Sequence, residues 1–243
     1  MLQEIDIDLP DWINRYVLPE YNIHIEAELN DDNYFEYHLA QTCPKIFEKY
    51  AVLLHPAWVD KTVKDLALKG IKIFPGGAKH QGYQRLSWKE FFLINNRQFH
   101  FERCHKEMEE LIDKISIKKW PDHFHTPEEG SCEMDEIISI TAIAGQIYPA
   151  EEIYYFNSYL NIADGDSNVI YKGSAADSGN LLDMESILDS PSAIYPNSAG
   201  WCMVTDPDLT FTFVGGETKF IDKILVLPDY EIFEVKPTIL ADT

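Results

Sequence analysis

Trp201-Cys202-Met203-Val204-Thr205-Asp206-Pro207-Asp208-Leu209-Thr210-Phe211-Thr212-Phe213-Val214-Gly215-Gly216 decides the fold, together with the amphipathic run and the apolar segment Tyr230 to Val235 behind it. Trp201 to Thr205 reads as one strand and Leu209 to Val214 as a second. Asp206, Pro207 and Asp208 between them form a hairpin loop, because proline fixes φ and short Asx side chains bond back to nearby backbone. In the second strand Leu209, Phe211 and Phe213 alternate with Thr210 and Thr212, the period of two that sets a buried face against a wet one. Gly215 and Gly216 are expected to stop that strand. Phe220, Ile221, Ile224 and Leu225 then share a helical stripe that Pro228 ends. Tyr230 to Val235 returns as strand, so the unit is strand, hairpin, strand, helix, strand.

Upstream of this unit, Ile153 to Leu160 and Val169 to Lys172 read as strands joined by a turn over 161–168. A short helix is expected within 181–188. Met134 to Ile147 is an apolar-rich helical run, preceded by the capping-box pattern Thr126-Pro127-Glu128-Glu129. In the first half, Asp11 is placed to cap a helix with Trp12, Ile13, Tyr16 and Val17 on one stripe. Ile23 to Leu29 alternates like a half-wet strand, and Tyr34 to Tyr50 is helical in pattern with an interruption at Pro44. Ala51 to Leu54 is a short apolar strand. The Pro75-Gly76-Gly77 turn lies in a weakly patterned stretch. Ser87-Trp88-Lys89-Glu90 is a clean capping box, and Phe101, Cys104, His105, Met108, Leu111, Ile112 and Ile115 recur at helical spacing. These elements predict an α+β protein: a mainly antiparallel sheet with helices packed on one face. Residues 1–243 are expected to form a single two-lobed domain, with 1–120 helix-rich and mixed and 121–243 acidic and sheet-rich.

Hydrophobic residues make up 45% and aromatics 13% of the 243 residues, a globular composition. The net charge of −21 is extreme, and it is uneven: residues 1–120 carry 16 Lys and Arg against 19 Asp and Glu, residues 121–243 only 4 against 22. A field of that sign repels nucleic acid and anionic membranes and favours cationic partners. The N-terminal residues show no signal-peptide pattern and no apolar run approaches membrane length, so a cytoplasmic location is expected. The four cysteines, Cys43, Cys104, Cys132 and Cys202, form no Cys-x-x-Cys pair and read as reduced, buried thiols.

Few constellations carry chemistry. His123-x-His125 with Cys104, His105 and Cys132 offers zinc ligands at a spacing that suits no finger or ribbon. Asp164-Gly165-Asp166-Ser167-Asn168 begins like a calcium loop, yet its sixth position is Val169 and its twelfth Ala175. Neither a metal nor a cofactor is therefore expected. Asp206 and Asp208 are candidate acid/base carboxylates at a hairpin tip, although turn formation is the commoner use of such a pair. His55 before Pro56 ends a strand without an evident Ser or Cys partner. Tyr154, Tyr155, Phe156 and Tyr159, with Tyr171 and Tyr195, exceed what one sheet face would bury, which suggests an acidic, Tyr-rich docking surface.

Phe47-Glu48-Lys49-Tyr50-Ala51-Val52-Leu53-Leu54-His55-Pro56-Ala57, Arg85-Leu86-Ser87-Trp88-Lys89-Glu90, Ile153-Tyr154-Tyr155-Phe156, Trp201 to Leu209, Phe213-Val214-Gly215-Gly216 and Ile221-Asp222-Lys223-Ile224-Leu225 occur in this order. In this the chain resembles a family of uncharacterised bacterial proteins. The resemblance implies a bacterial, cytoplasmic protein and assigns it no activity.

Two main readings of function follow. The first is a non-catalytic binding protein that engages a basic protein partner, as an immunity or antitoxin protein would. Its contact residues would be Tyr154, Tyr155, Tyr159, Asp164, Asp166, Asp206 and Asp208, with no nucleic acid or membrane involved. The second is an enzyme or small-molecule sensor with a pocket near Asp206, Asp208 and His55. A structural or assembly role is a further alternative.

Overall fold

The computed structural model describes residues 1–18, 23–68, 82–117, 123–159, 167–184 and 190–239. The chain forms two compact units, one from Met1–His55 with Glu129–Thr243 and the other from Pro56–Glu128. The first unit begins with β1 (Gln3–Ile5), α1 (Asp11–Val17), α2 (Tyr34–Thr42) and β2 (Lys49–Leu54). The chain then builds the second unit from β3 (Ala57–Asp60), α3 (Lys61–Leu68), β4 (Tyr83–Leu86), α4 (Trp88–Ile94), α5 (Cys104–Ile117) and β5 (Phe124–His125). It returns to the first with α6 (Met134–Ile147), β6 (Ile153–Asn157), β7 (Val169–Gly173), β8 (Ala193–Pro196), β9 (Trp201–Thr205), β10 (Phe211–Gly216), α7 (Thr218–Ile224) and β11 (Ile232–Val235). The division is thus an excursion over 56–128 rather than a cut at 120. β2 pairs with β10 and β11 far along the chain, which ties the N-terminal quarter into the sheet of the C-terminal half.

The first unit holds an eight-stranded sheet in the order β1-β7-β6-β8-β9-β10-β2-β11, with every neighbouring pair antiparallel. The α+β class with a mainly antiparallel sheet is therefore as the sequence predicts, but helices cover both faces. On one face Ile137, Ile140 and Ala144 of α6 and Phe220, Ile221 and Ile224 of α7 join Leu53, Tyr155, Trp201, Met203 and Val214 of the strands in a continuous core. On the other, Phe35 of α2 packs edge-on against Phe211 at 5.1 Å and Trp12 of α1 against Tyr195 at 5.6 Å. With helices on both faces all of β9 and β10 is buried, including Thr212, which the alternation assigns to a wet face and which lies on the Val214 side that α6 and α7 cover. Threonine satisfies its hydroxyl across the strands, so the polar half of the pattern survives burial.

Gly215 and Gly216 lie inside β10 rather than ending it. They are needed for close approach: a Cβ on Gly215 would run into the Phe47 ring, and one on Gly216 would stand 2.7 Å from Phe220 Cδ1. The 126–129 pattern caps no helix. α6 begins later, where the Glu136 carboxylate accepts from the Glu133 amide at 3.0 Å. Ile23 to Leu29 forms only an isolated bridge at Ile25, and the expected helix at 181–188 is instead a 3-10 segment over Ala175–Asp183, its further end lying outside the described residues.

The second unit is a three-stranded antiparallel sheet, β4-β3-β5, with α4 beside it. The Ser87 hydroxyl accepts from the Glu90 amide at 3.1 Å while the Glu90 carboxylate accepts from the Ser87 amide at 2.9 Å, the reciprocal cap read from the sequence. α4 buries Trp88, Phe91 and Phe92, and Phe91 meets Phe124 of β5 edge-on. The Pro75-Gly76-Gly77 turn lies outside the described residues.

Candidate functional site

The β9–β10 hairpin sets one wall of a cavity of about 340 Å³ in the first unit. Its tip is Asp206-Pro207-Asp208, and the Asp208 amide donates to the Asp206 carboxylate at 2.9 Å, an Asx turn of the kind the sequence implies. The tip is fixed from outside by Gly130, whose φ of +68° only glycine adopts readily, and whose amide donates to the Leu209 carbonyl at 2.9 Å. There is no room there for a side chain, because a Cβ would sit 2.9 Å from Pro207 Cα.

The remaining walls come from four elements. Arg15, Tyr16 and Val17 end α1, with Leu18 and Ile23 beyond it; Gln41 and Thr42 end α2; Ser158 and Ser192 flank β6 and β8. The Ser158 amide donates to the Ser192 hydroxyl at 3.2 Å, so these two serines hold each other. Arg15 Nη2 donates to the Tyr16 hydroxyl at 2.8 Å and its guanidinium lies 4.9 Å from the centre of that ring. Among the described residues Arg15 has no carboxylate partner. Asp206 is half-buried, and burial pushes its carboxyl above the ordinary range, against the opposing Asp208 amide. One cavity thus contains a guanidinium and a carboxylate that do not neutralise each other.

His55 reaches this site indirectly. Its ring nitrogen Nε2 lies 2.9 Å from Thr212 Oγ1, and Thr212 Oγ1 lies 2.8 Å from Thr205 Oγ1, whose residue lines the cavity. All three residues are buried, so two threonine hydroxyls connect the histidine to the wall near Asp206. The sequence suggests the His55, Asp206 and Asp208 grouping; it gives no sign of the threonine link, of Arg15 or of the two serines, which lie far apart along the chain.

The Tyr-rich surface is not formed as expected. Tyr155 is fully buried and donates to the Ser174 carbonyl at 3.0 Å, and Tyr171 and Tyr195 are buried too. Tyr154 is half-buried, stacked on Tyr195 with ring centres 5.6 Å apart, and Tyr159 alone of the three proposed tyrosines is exposed. The covering of both sheet faces is the reason, since it buries residues from both halves of the alternation. Asp164 and Asp166 lie outside the described residues.

All four cysteines are buried thiols. Burial, reinforced by the Glu136 carboxylate 3.4 Å away, holds the Cys132 thiol well above its usual range. Cys43 and Cys202 are buried thiols with sulfurs 3.7 Å apart, and burial likewise pushes Cys202 up. Cys104 is buried in α5, in the unit that does not contain Cys132. Among the described residues no group of three His, Cys, Asp or Glu side chains is arranged to hold a metal ion, and no helix is long and apolar enough to cross a membrane.

No protein-family model, curated protein or solved structure matches the chain.

Proposed function

We propose that the protein binds a small polar molecule in the cavity beside Asp206, as a sensor or an enzyme. The observation that carries this reading is the pair of opposite, mutually unpaired charges, Arg15 and Asp206, lining one concavity. A half-buried carboxylate with one backbone donor among the described residues is poorly compensated, and a ligand that supplies a donor there recovers that free energy. At about 340 Å³ the cavity lies at the small end of ligand pockets. Equilibrium dialysis of the protein against a pooled set of polar metabolites, followed by mass spectrometry, tests it. Enrichment of one compound by the wild type and its loss in Gln41→Trp, which fills the cavity, is the expected result; enrichment unchanged by that substitution contradicts it.

A second reading is favoured by the distribution of charge between the units. Residues 56–128 carry 13 Lys and Arg against 10 Asp and Glu, so the rest of the chain carries 7 against 31. The entire negative excess belongs to the sheet unit, which suits a basic protein partner, an immunity or antitoxin-type neutraliser being one form. Its association would be steered electrostatically and its on-rate would fall steeply as salt rises past the Debye length of about 10 Å at 0.1 M. Binding that is indifferent to salt removes this reading. A cytoplasmic location and membership of the bacterial family belong with these proposals, and the motifs quoted above are their support.

A further inference from the structure

Resting on the cavity reading, we propose that the occupant is a small zwitterion, a free α-amino acid with an aliphatic side chain, its carboxylate at Arg15 and its ammonium at Asp206. Among the described residues the Arg15 guanidinium hydrogen-bonds only to the Tyr16 hydroxyl and the Asp206 carboxylate only to the Asp208 amide, so each keeps unused capacity for a charged group. Had the two been placed to neutralise each other they would form an ion pair, and among the described residues they do not. A purely cationic ligand leaves the guanidinium facing its like charge, and a purely anionic ligand does the same to the carboxylate. A molecule that carries both charges satisfies both at once, and an α-amino acid does so on its α-carbon while its side chain stays free for the apolar lining.

The rest of the lining selects the side chain. Val17, Leu18, Ile23 and Val204 give the cavity an apolar portion that takes an alkyl group. Asp208 at the exposed rim adds a second negative charge, which disfavours ligands with an acidic side chain.

The test is calorimetric titration of the full chain with leucine, isoleucine, valine and alanine, and with the methyl ester and N-acetyl derivative of each. Esterification removes the carboxylate and acetylation removes the ammonium. Hydrogen bonds to charged groups contribute about 1.5–3 kcal/mol, so each derivative is expected to bind about ten- to a hundredfold more weakly than the free amino acid. In Arg15→Met the penalty for the ester disappears while that for the acetyl derivative remains, and in Asp206→Asn the reverse holds. If either variant is unfolded, the comparison of derivatives on the wild type decides alone. An ester that binds as well as the free amino acid makes the occupant a simple cation, and an acetyl derivative that does so makes it an anion; either overturns the zwitterion while leaving the cavity as a binding site. No binding of any amino acid while the dialysis pool yields another cavity ligand rejects this proposal alone. An empty result in both experiments rejects the cavity reading with it.

Discussion

Phe211 and Phe213 lie on the face of β10 that α2 covers. Both are buried, and Phe211 meets Phe35 and Phe213 at 5.1 and 5.3 Å, so truncation of either to alanine is expected to cost about 3–5 kcal/mol in chemical denaturation. A loss below about 1 kcal/mol would mean that α2 does not press on this face. Gly130→Ala places a Cβ both in a left-handed backbone and against Pro207, and about 1–3 kcal/mol of destabilisation is expected, together with a displaced hairpin tip. His38, whose ring lies 6.1 Å from that of Phe211, has its pKa lowered by burial from 6.5 to about 4. The folded state therefore takes up the proton only at lower pH than the unfolded chain, which binds more protons throughout the interval. Stability is complete above about 6.5 and falls as pH drops towards about 4. His38→Phe is expected to flatten the wild-type dependence of the thermal midpoint in that window; an unchanged slope assigns it to other groups.

At the scale of elements, the hairpin, α7 and β11 were legible because local rules and tertiary structure agree there. Alternation gave β10 beside the strand read at Trp201 to Thr205, Asx and proline chemistry gave the tip, and a single apolar stripe gave α7. The α4 cap was legible for the same reason, and Ser87→Ala is expected to cost about 0.5–2 kcal/mol, measurable by denaturation of the full chain. Other features were hidden because their causes are long-range. Gly215 and Gly216 look like strand breakers until Phe47 and Phe220 are seen against them. Thr212 looks solvated until a helical layer covers the other face and its hydroxyl is found between Thr205 and His55. The same covering withdraws Tyr155, Tyr171 and Tyr195 from any surface role.

For the whole molecule, two facts were beyond sequence patterning. β2 inserts between β10 and β11, which places the boundary around 56–128, and the net charge then divides as an acidic sheet unit and a slightly basic second unit. The cavity has the same origin: Arg15, Gln41, Ser158, Ser192 and Asp206 come from five separated segments that only the sheet order brings together. Of that site the sequence shows Asp206, Asp208 and His55, because a hairpin tip and a strand end are local features. Its opposite charge, Arg15, is invisible without the fold. The most direct test of the cavity as the functional site is an amide NMR titration of isotope-labelled protein with the compound that dialysis enriches. The account predicts saturable shifts concentrated at Arg15, Gln41, Thr42, Ser158, Ser192 and Asp206, whereas shifts concentrated at Tyr159 and elsewhere outside the cavity, with those amides unmoved, would contradict it.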